Sequence, residues 1–207
     1  MQYDRPNNKS WYRQFADVLS AIWNMSPDPK KPTKQALRAV LHHRHVTHWN
    51  HMDEVYPGIF VGDEASAKDT EGLKRAGITH VLNASCVTSV SSPLGVNTSA
   101  QFYQIRSFKC EFLGIPALDI MTFKISPFFD QAANFIESAL NSNGKVLVHC
   151  YMGVSRSATL AMVYLMIKKK MSAVEALSQL RTARNVYPND GFLDQICELE
   201  LKLKGQL

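Results

Sequence analysis

No run of 18 apolar residues occurs in the 207-residue chain, and its first ten residues are polar where a secretory leader needs an apolar core. Neither a membrane-spanning helix nor export is expected from such a sequence. Closely spaced cysteine pairs are missing as well. Cys86, Cys110, Cys150 and Cys197 stand too far apart for a zinc knuckle or a thioredoxin-like pair. A reducing compartment, cytoplasmic and/or nuclear, is therefore expected. The chain also lacks the polar, strongly charged bias of disorder, since 45% of it is hydrophobic and 20% charged. Its length suits one domain with a real core plus an appendage. No internal repeat is visible.

A basic surplus is present, but it is not where a nucleic-acid-binding domain would carry it. Residues 1–48 hold eight Lys/Arg against three Asp, which accounts for the whole net charge of +5. The remaining residues hold 15 basic and 15 acidic side chains and are neutral. A nucleic-acid partner is disfavoured on that ground. His42, His43, His45 and His48 close this basic segment. Adjacent imidazoles on a basic linker read as solvated side chains rather than metal ligands, and no metal or cofactor is expected.

The chain divides at about residue 48. Within residues 1–48, Trp11, Phe15, Val18, Leu19, Ile22 and Trp23 recur at helical spacing, which predicts an amphipathic helix. Its apolar face needs a partner, and a second copy of the chain, giving a homodimer, is the first expectation. A proline-bearing linker, 25–32, follows.

From Trp49 to Leu207 strand and helix signals alternate, the pattern of an α/β domain. Strands are expected over 58–62, 78–83, 111–115 and 146–149, the last an apolar, β-branched run suited to a buried central position. Helices are expected over 70–76, closed by Gly77; from Ser126 as a cap with Pro127 at the first position; over 157–170; from Ser172, with Glu175 completing a capping box; and over 191–204.

The chemistry lies in His149-Cys150-Tyr151-Met152-Gly153-Val154-Ser155-Arg156-Ser157. A buried strand ends at a cysteine, a short loop follows, and an arginine opens a long helix. Loop amides and a helix N-terminus aimed at one spot form an anion cradle, and a cysteine there is expected to ionise well below the free value of about 8.5. Cys150 is then a nucleophile. Arg156 brings a planar fork for two phosphate oxygens, and Ser157 sets a hydroxyl beside the sulfur. The alternatives are a buried inert cysteine and a Cys-His protease pair. The second is disfavoured because neighbours on a strand point to opposite faces, turning His149 away from Cys150.

The string H-C-x-x-x-x-x-R-S is the signature of the cysteine-dependent protein tyrosine phosphatases, and H-C-x-x-G-x-S-R-S-A-T resembles their dual-specificity branch. Asp53-Glu54-Val55-Tyr56-Pro57, Gly77-Ile78-Thr79-His80-Val81-Leu82-Asn83-Ala84 and Pro188-Asn189-Asp190-Gly191-Phe192-Leu193 resemble its small atypical members, which lack a docking domain for mitogen-activated kinases. The likeness covers about residues 49–204 and implies a protein tyrosine phosphatase-like fold, a central mostly parallel sheet flanked by helices.

The resemblance also implies a chemistry and a set of residues for it. Phosphotyrosine and phosphoserine/phosphothreonine in proteins would be hydrolysed through a phosphocysteine, with phosphorylated proteins, kinases among them, as partners. The catalytic residues would be Cys150, Arg156, Ser157 and a general acid some thirty residues before the cysteine. Asp119, 31 residues before it, fits, whereas Asp130 falls inside a helix. Tyr151, Met152, Gly153, Val154, Ser155 and Arg156 would bind the phosphate. Asn83 resembles the asparagine that hydrogen-bonds the phosphate loop, against a plain strand-ending asparagine. Arg184 occupies the position of a basic residue that meets a second phosphate in some relatives, against an exposed helix-end arginine. Cys86 is a resolving thiol or an inert buried one. A phosphatase of phosphoinositides or RNA ends would carry lysines in the loop, and a catalytically dead binding module would lack the cysteine, the arginine or the acid.

Overall fold

The computed structural model describes residues 34–42, 50–87 and 94–205. The Trp11 to Trp23 stripe, His43, His45 and His48 lie outside them. Five strands form one sheet: β1 (Met52–Tyr56), β2 (Ile59–Gly62), β3 (His80–Asn83), β4 (Glu111–Gly114) and β5 (Val146–His149), in the spatial order β1-β2-β5-β3-β4. β1 runs antiparallel to β2, and every other pairing is parallel. All four residues of β5 are buried, as an apolar run between two parallel neighbours must be. Alternation sends Val146 and Val148 to the larger core and Leu147 to a smaller one with Leu73, Val81 and Tyr103, so helices cover both faces.

The parallel strands end level with one another. Gly62 and Asn83 both stand beside His149, and Gly114 stands beside Asn83. The loops leaving β2, β3, β4 and β5 therefore emerge at one edge, where ligands of open α/β sheets bind.

Helices α1 (Lys34–His42), α2 (Glu64–Lys68), α3 (Thr70–Ala76), α4 (Ala100–Gln104), α5 (Phe129–Asn141), α6 (Arg156–Lys169), α7 (Ala173–Arg181) and α8 (Asp190–Leu203) complete the described chain. α6 is buried from Arg156 to Met166, which explains why its sequence is apolar nearly all round. Gly77 ends α3 in the left-handed conformation, and Ser172 and Glu175 make the expected capping box on α7. The expected cap at Ser126 is not made. Residues Ser126–Phe128 form one turn of 3₁₀ helix, and Gln195 of α8 accepts hydrogen bonds from the backbone N–H groups of Ile125 and Ser126.

α1 belongs to the basic extension yet packs on α7 and α8. Leu37, Val40 and Leu41 are buried against the larger core, while Lys34 and Arg38 pair with Asp194 and Asp190 of α8. The Arg181 guanidinium donates to the Leu41 carbonyl at 3.1 Å and secures the C-terminal end of α1. Part of the basic surplus is thus matched by acids of the domain it abuts.

Because Leu37 is 1% exposed, Leu37→Ala is expected to lower stability by about 2–5 kcal/mol in urea unfolding. Lys34→Ala, which removes a surface ion pair, should cost about 1 kcal/mol or less. Equal small losses for both would show that α1 is not seated on the core.

Candidate active site

The segment between β5 and α6 has its carbonyls tied outward. Tyr151 O accepts from the Glu64 amide at 3.1 Å and Val154 O from the Tyr187 amide at 2.9 Å. The Arg184 guanidinium donates to Gly153 O at 2.8 Å and to Met152 O at 3.4 Å. Ser155 O accepts from the amide and the hydroxyl of Thr159. The amides of residues 151–155 donate to no acceptor among the described residues. Five N–H groups are thus left at the head of α6, next to the positive end of its dipole. Gly153 makes the turn at φ +67°, and a Cβ there would come within 2.5 Å of Gly62 O.

Cys150, 1% exposed, lies at the base of this loop with Sγ 3.3 Å from Ser157 Oγ. Arg156 is buried too. One of its terminal nitrogens donates to Leu94 O and Ala117 O, both at 3.2 Å. Its Nε has no hydrogen-bond partner and stands 3.5 Å from Asp119 Oδ2. A buried guanidinium N–H left in that condition at the head of α6 suits an anion.

Asp119 enters from the loop after β4. Its Oδ1 accepts from Ser155 Oγ at 2.7 Å and from Asn189 Nδ2 at 2.8 Å, and the Asn189 amide donates in turn to Ser155 Oγ. Asn189 also caps α8 through Oδ1. At Gly191 a Cβ would fall 1.8 Å from Met121 O, so only glycine lets α8 lie against the aspartate loop. The structure therefore brings Cys150, Arg156, Ser157 and Asp119 together around residues 151–155. Asn189, which no local sequence pattern singles out, joins the aspartate loop to the phosphate loop and to α8.

Two expectations need correction. Asn83 does not reach the phosphate loop: its amide donates to Val96 O and Thr98 Oγ1, both at 2.9 Å, and its carbonyl accepts from Ser85. Arg184 is neither an exposed helix-end arginine nor turned toward a second phosphate. It is 2% exposed and pairs with Asp53 at 2.7 Å as well as holding the Gly153 carbonyl. Cys86 packs its sulfur against Gly114 of the edge strand, and burial pushes its thiol pKa up, which matches the inert reading.

His149 is wholly buried, with Nε2 3.3 Å from Thr98 Oγ1. Burial, helped by the Arg156 charge, pushes its pKa down to about 3 from an ordinary 6.5. The ring is neutral, and its Nε2 faces Thr98 Oγ1.

A cysteine at the floor of an amide-lined loop, between the end of a parallel strand and a buried helix, with an arginine and a carboxylate above it, defines the class of cysteine-dependent phosphatases. Residues 59–202 match the family described as "Dual specificity phosphatase, catalytic domain", and the chain belongs to that family. It is a dual-specificity protein phosphatase working through a phosphocysteine. The chain is 43% identical over 173 residues to human dual specificity protein phosphatase 13B, covering 83% of this chain and 84% of that one. Among solved structures it is similar to human DUSP28, at 26% identity and TM-score 0.63, covering 76% of this chain and 97% of that one. Human tyrosine phosphatase-like serine/threonine/tyrosine-interacting protein aligns at 29% identity and TM-score 0.64, over 74% of this chain and 97% of its own. Among the described residues no helix is long and apolar enough to cross a membrane, and no three His, Cys, Asp or Glu side chains gather as metal ligands do.

The buried histidine makes stability pH-dependent. Between pH 6.5 and about 3 the unfolded chain binds a proton at His149 that the folded chain refuses, so its contribution is complete above pH 6.5 and is lost as pH falls. One such group contributes up to about 1.4 kcal/mol per pH unit. Urea midpoints should fall between pH 7 and pH 4.5, and His149→Gln, although less stable at pH 7, should fall less over that range. Parallel curves would place the acid sensitivity elsewhere.

Proposed function

We propose that the roles divide among the assembled residues as follows. Cys150 Sγ attacks the phosphorus of a phosphotyrosine, phosphoserine or phosphothreonine as the bond to the leaving oxygen breaks. Asp119 gives that oxygen its proton. The Arg156 fork and the amides of residues 151–155 hold the non-bridging oxygens, more tightly as charge builds in the transition state. In the second step Asp119, now a carboxylate, takes a proton from the water that displaces sulfur from phosphorus. Ser157 Oγ, 3.3 Å from Sγ, donates to the departing thiolate. Ser155 and Asn189 position the aspartate.

The observation that supports this reading most is the set of unpaired amides above a buried cysteine, because amides turned inward at the cost of tying every carbonyl outward have a use only with an anion bound. We place the protein in the cytoplasm and/or the nucleus. Phosphorylated kinases are among its expected substrates, and the Trp11 to Trp23 stripe serves as a homodimer contact whose removal would halve the mass in solution.

Cys150→Ser is expected to abolish turnover while phosphopeptide binding persists, and Arg156→Lys to be nearly as damaging, since a point charge cannot replace the fork. Asp119→Asn should slow alkyl and phenyl phosphates by roughly 10²- to 10⁴-fold and matter far less for an ester with a good leaving group. Equal losses on good and poor leaving groups would remove Asp119 from the acid role.

A further inference from the structure

Exposed apolar side chains are concentrated where the phosphate enters. Seven of the nine large exposed hydrophobics among the described residues stand on the loops that meet the cradle. Leu118, Ile120 and Met121 flank Asp119, with Met121 66% exposed. Tyr151 and Met152 project from the phosphate loop itself. Tyr187 is held beside that loop by the bond from its amide to Val154 O, and Leu94 by the bond from Arg156 to its carbonyl. Single exposed hydrophobics carry no message, but a cluster of this kind marks a contact surface.

Charge is sparse in the same segments. Residues 94–99, 117–123, 151–155 and 185–189 contain no Lys or Arg, and Asp119 is their only acid. The one guanidinium bound to the loop's outer side, Arg184, points inward to Asp53 and the Gly153 carbonyl. The cradle can neutralise one phosphate, and an additional anion beside it would meet these apolar side chains first, since Lys124 lies beyond Phe123 and Arg38, near Tyr187, is already paired with Asp190.

Resting on the phosphatase reading above, we propose that this rim is a specificity surface for phosphorylated protein segments that carry apolar side chains next to a single phosphoresidue. Acidic neighbours and a second phosphate close by are selected against. A protein segment is favoured over a lipid headgroup because a membrane-facing mouth draws on Lys and Arg to meet anionic lipid, and the four segments that form this mouth carry none.

The test uses the full chain and tyrosine phosphopeptides of one length. Flanking residues are Leu and Phe in one peptide, Asp and Glu in a second, and the third carries a phosphothreonine two residues from the phosphotyrosine. The expected kcat/KM for the apolar peptide is about tenfold or more above each of the others. Met121→Glu and Tyr187→Glu, both at exposed positions, should each shrink that ratio at least severalfold. A ratio near one in the wild-type chain, or a ratio that neither variant moves, would overturn the proposal while phosphate release from the peptides upheld the phosphatase reading. Absence of release from every peptide would overturn both. Faster turnover of a phosphoinositide in phosphatidylcholine vesicles than of the best peptide would make the rim a lipid surface and overturn the proposal.

Discussion

An amide turned toward the pocket and a carbonyl turned away from it are two ends of one rigid peptide plane, so the loop between β5 and α6 can offer its N–H groups only if something else receives its carbonyls. Here the receivers come from four places. The N-terminus of α2 binds Tyr151 O, Arg184 binds Met152 O and Gly153 O, the amide of Tyr187 binds Val154 O, and α6 itself binds Ser155 O. The cradle is local in sequence but held by the whole domain. Arg184 is in turn oriented by Asp53 of β1, so the antiparallel edge of the sheet bears on the site.

The aspartate is held by the same economy of shared partners. Ser155 donates to Asp119 and accepts from Asn189, so loop, acid and the start of α8 are joined by one hydrogen-bond chain. The neighbouring Asp190 pairs with Arg38, which connects α1, part of the basic extension, to the element that positions the acid. Gly191 permits the close approach that makes this possible.

Where adjacent residues decide the outcome, the sequence was readable. The apolar run of β5, the glycine and arginine of the loop, the all-round apolar α6 and the Ser172–Glu175 box each state their structure within a few residues, and the four residues Cys150, Arg156, Ser157 and Asp119 do meet. Residues whose fate depends on distant partners were not readable. Arg184 is buried because Asp53, 131 residues earlier, neutralises it. Asn83 turns to Thr98 rather than to the phosphate loop, and Ser126 gives up its cap to Gln195, 69 residues on. α1 escaped because it is short and lies within a basic stretch, while the three apolar positions that seat it are meaningful only against α7 and α8. The short strand β1 and helices α2 and α4, five residues each, are too brief to show a period.

The central claim is that the cradle delivers phosphate to Cys150. Its most direct test is to mix the full chain with a phosphotyrosine peptide, quench it in acid on the millisecond scale and locate the bound phosphate by peptide mass spectrometry. The account predicts a transient phosphate on Cys150, absent in Cys150→Ser and accumulating in Asp119→Asn with an ester whose leaving group needs no proton. Phosphate release with no transient on Cys150, or a phosphate found on another residue such as Ser157, would contradict it.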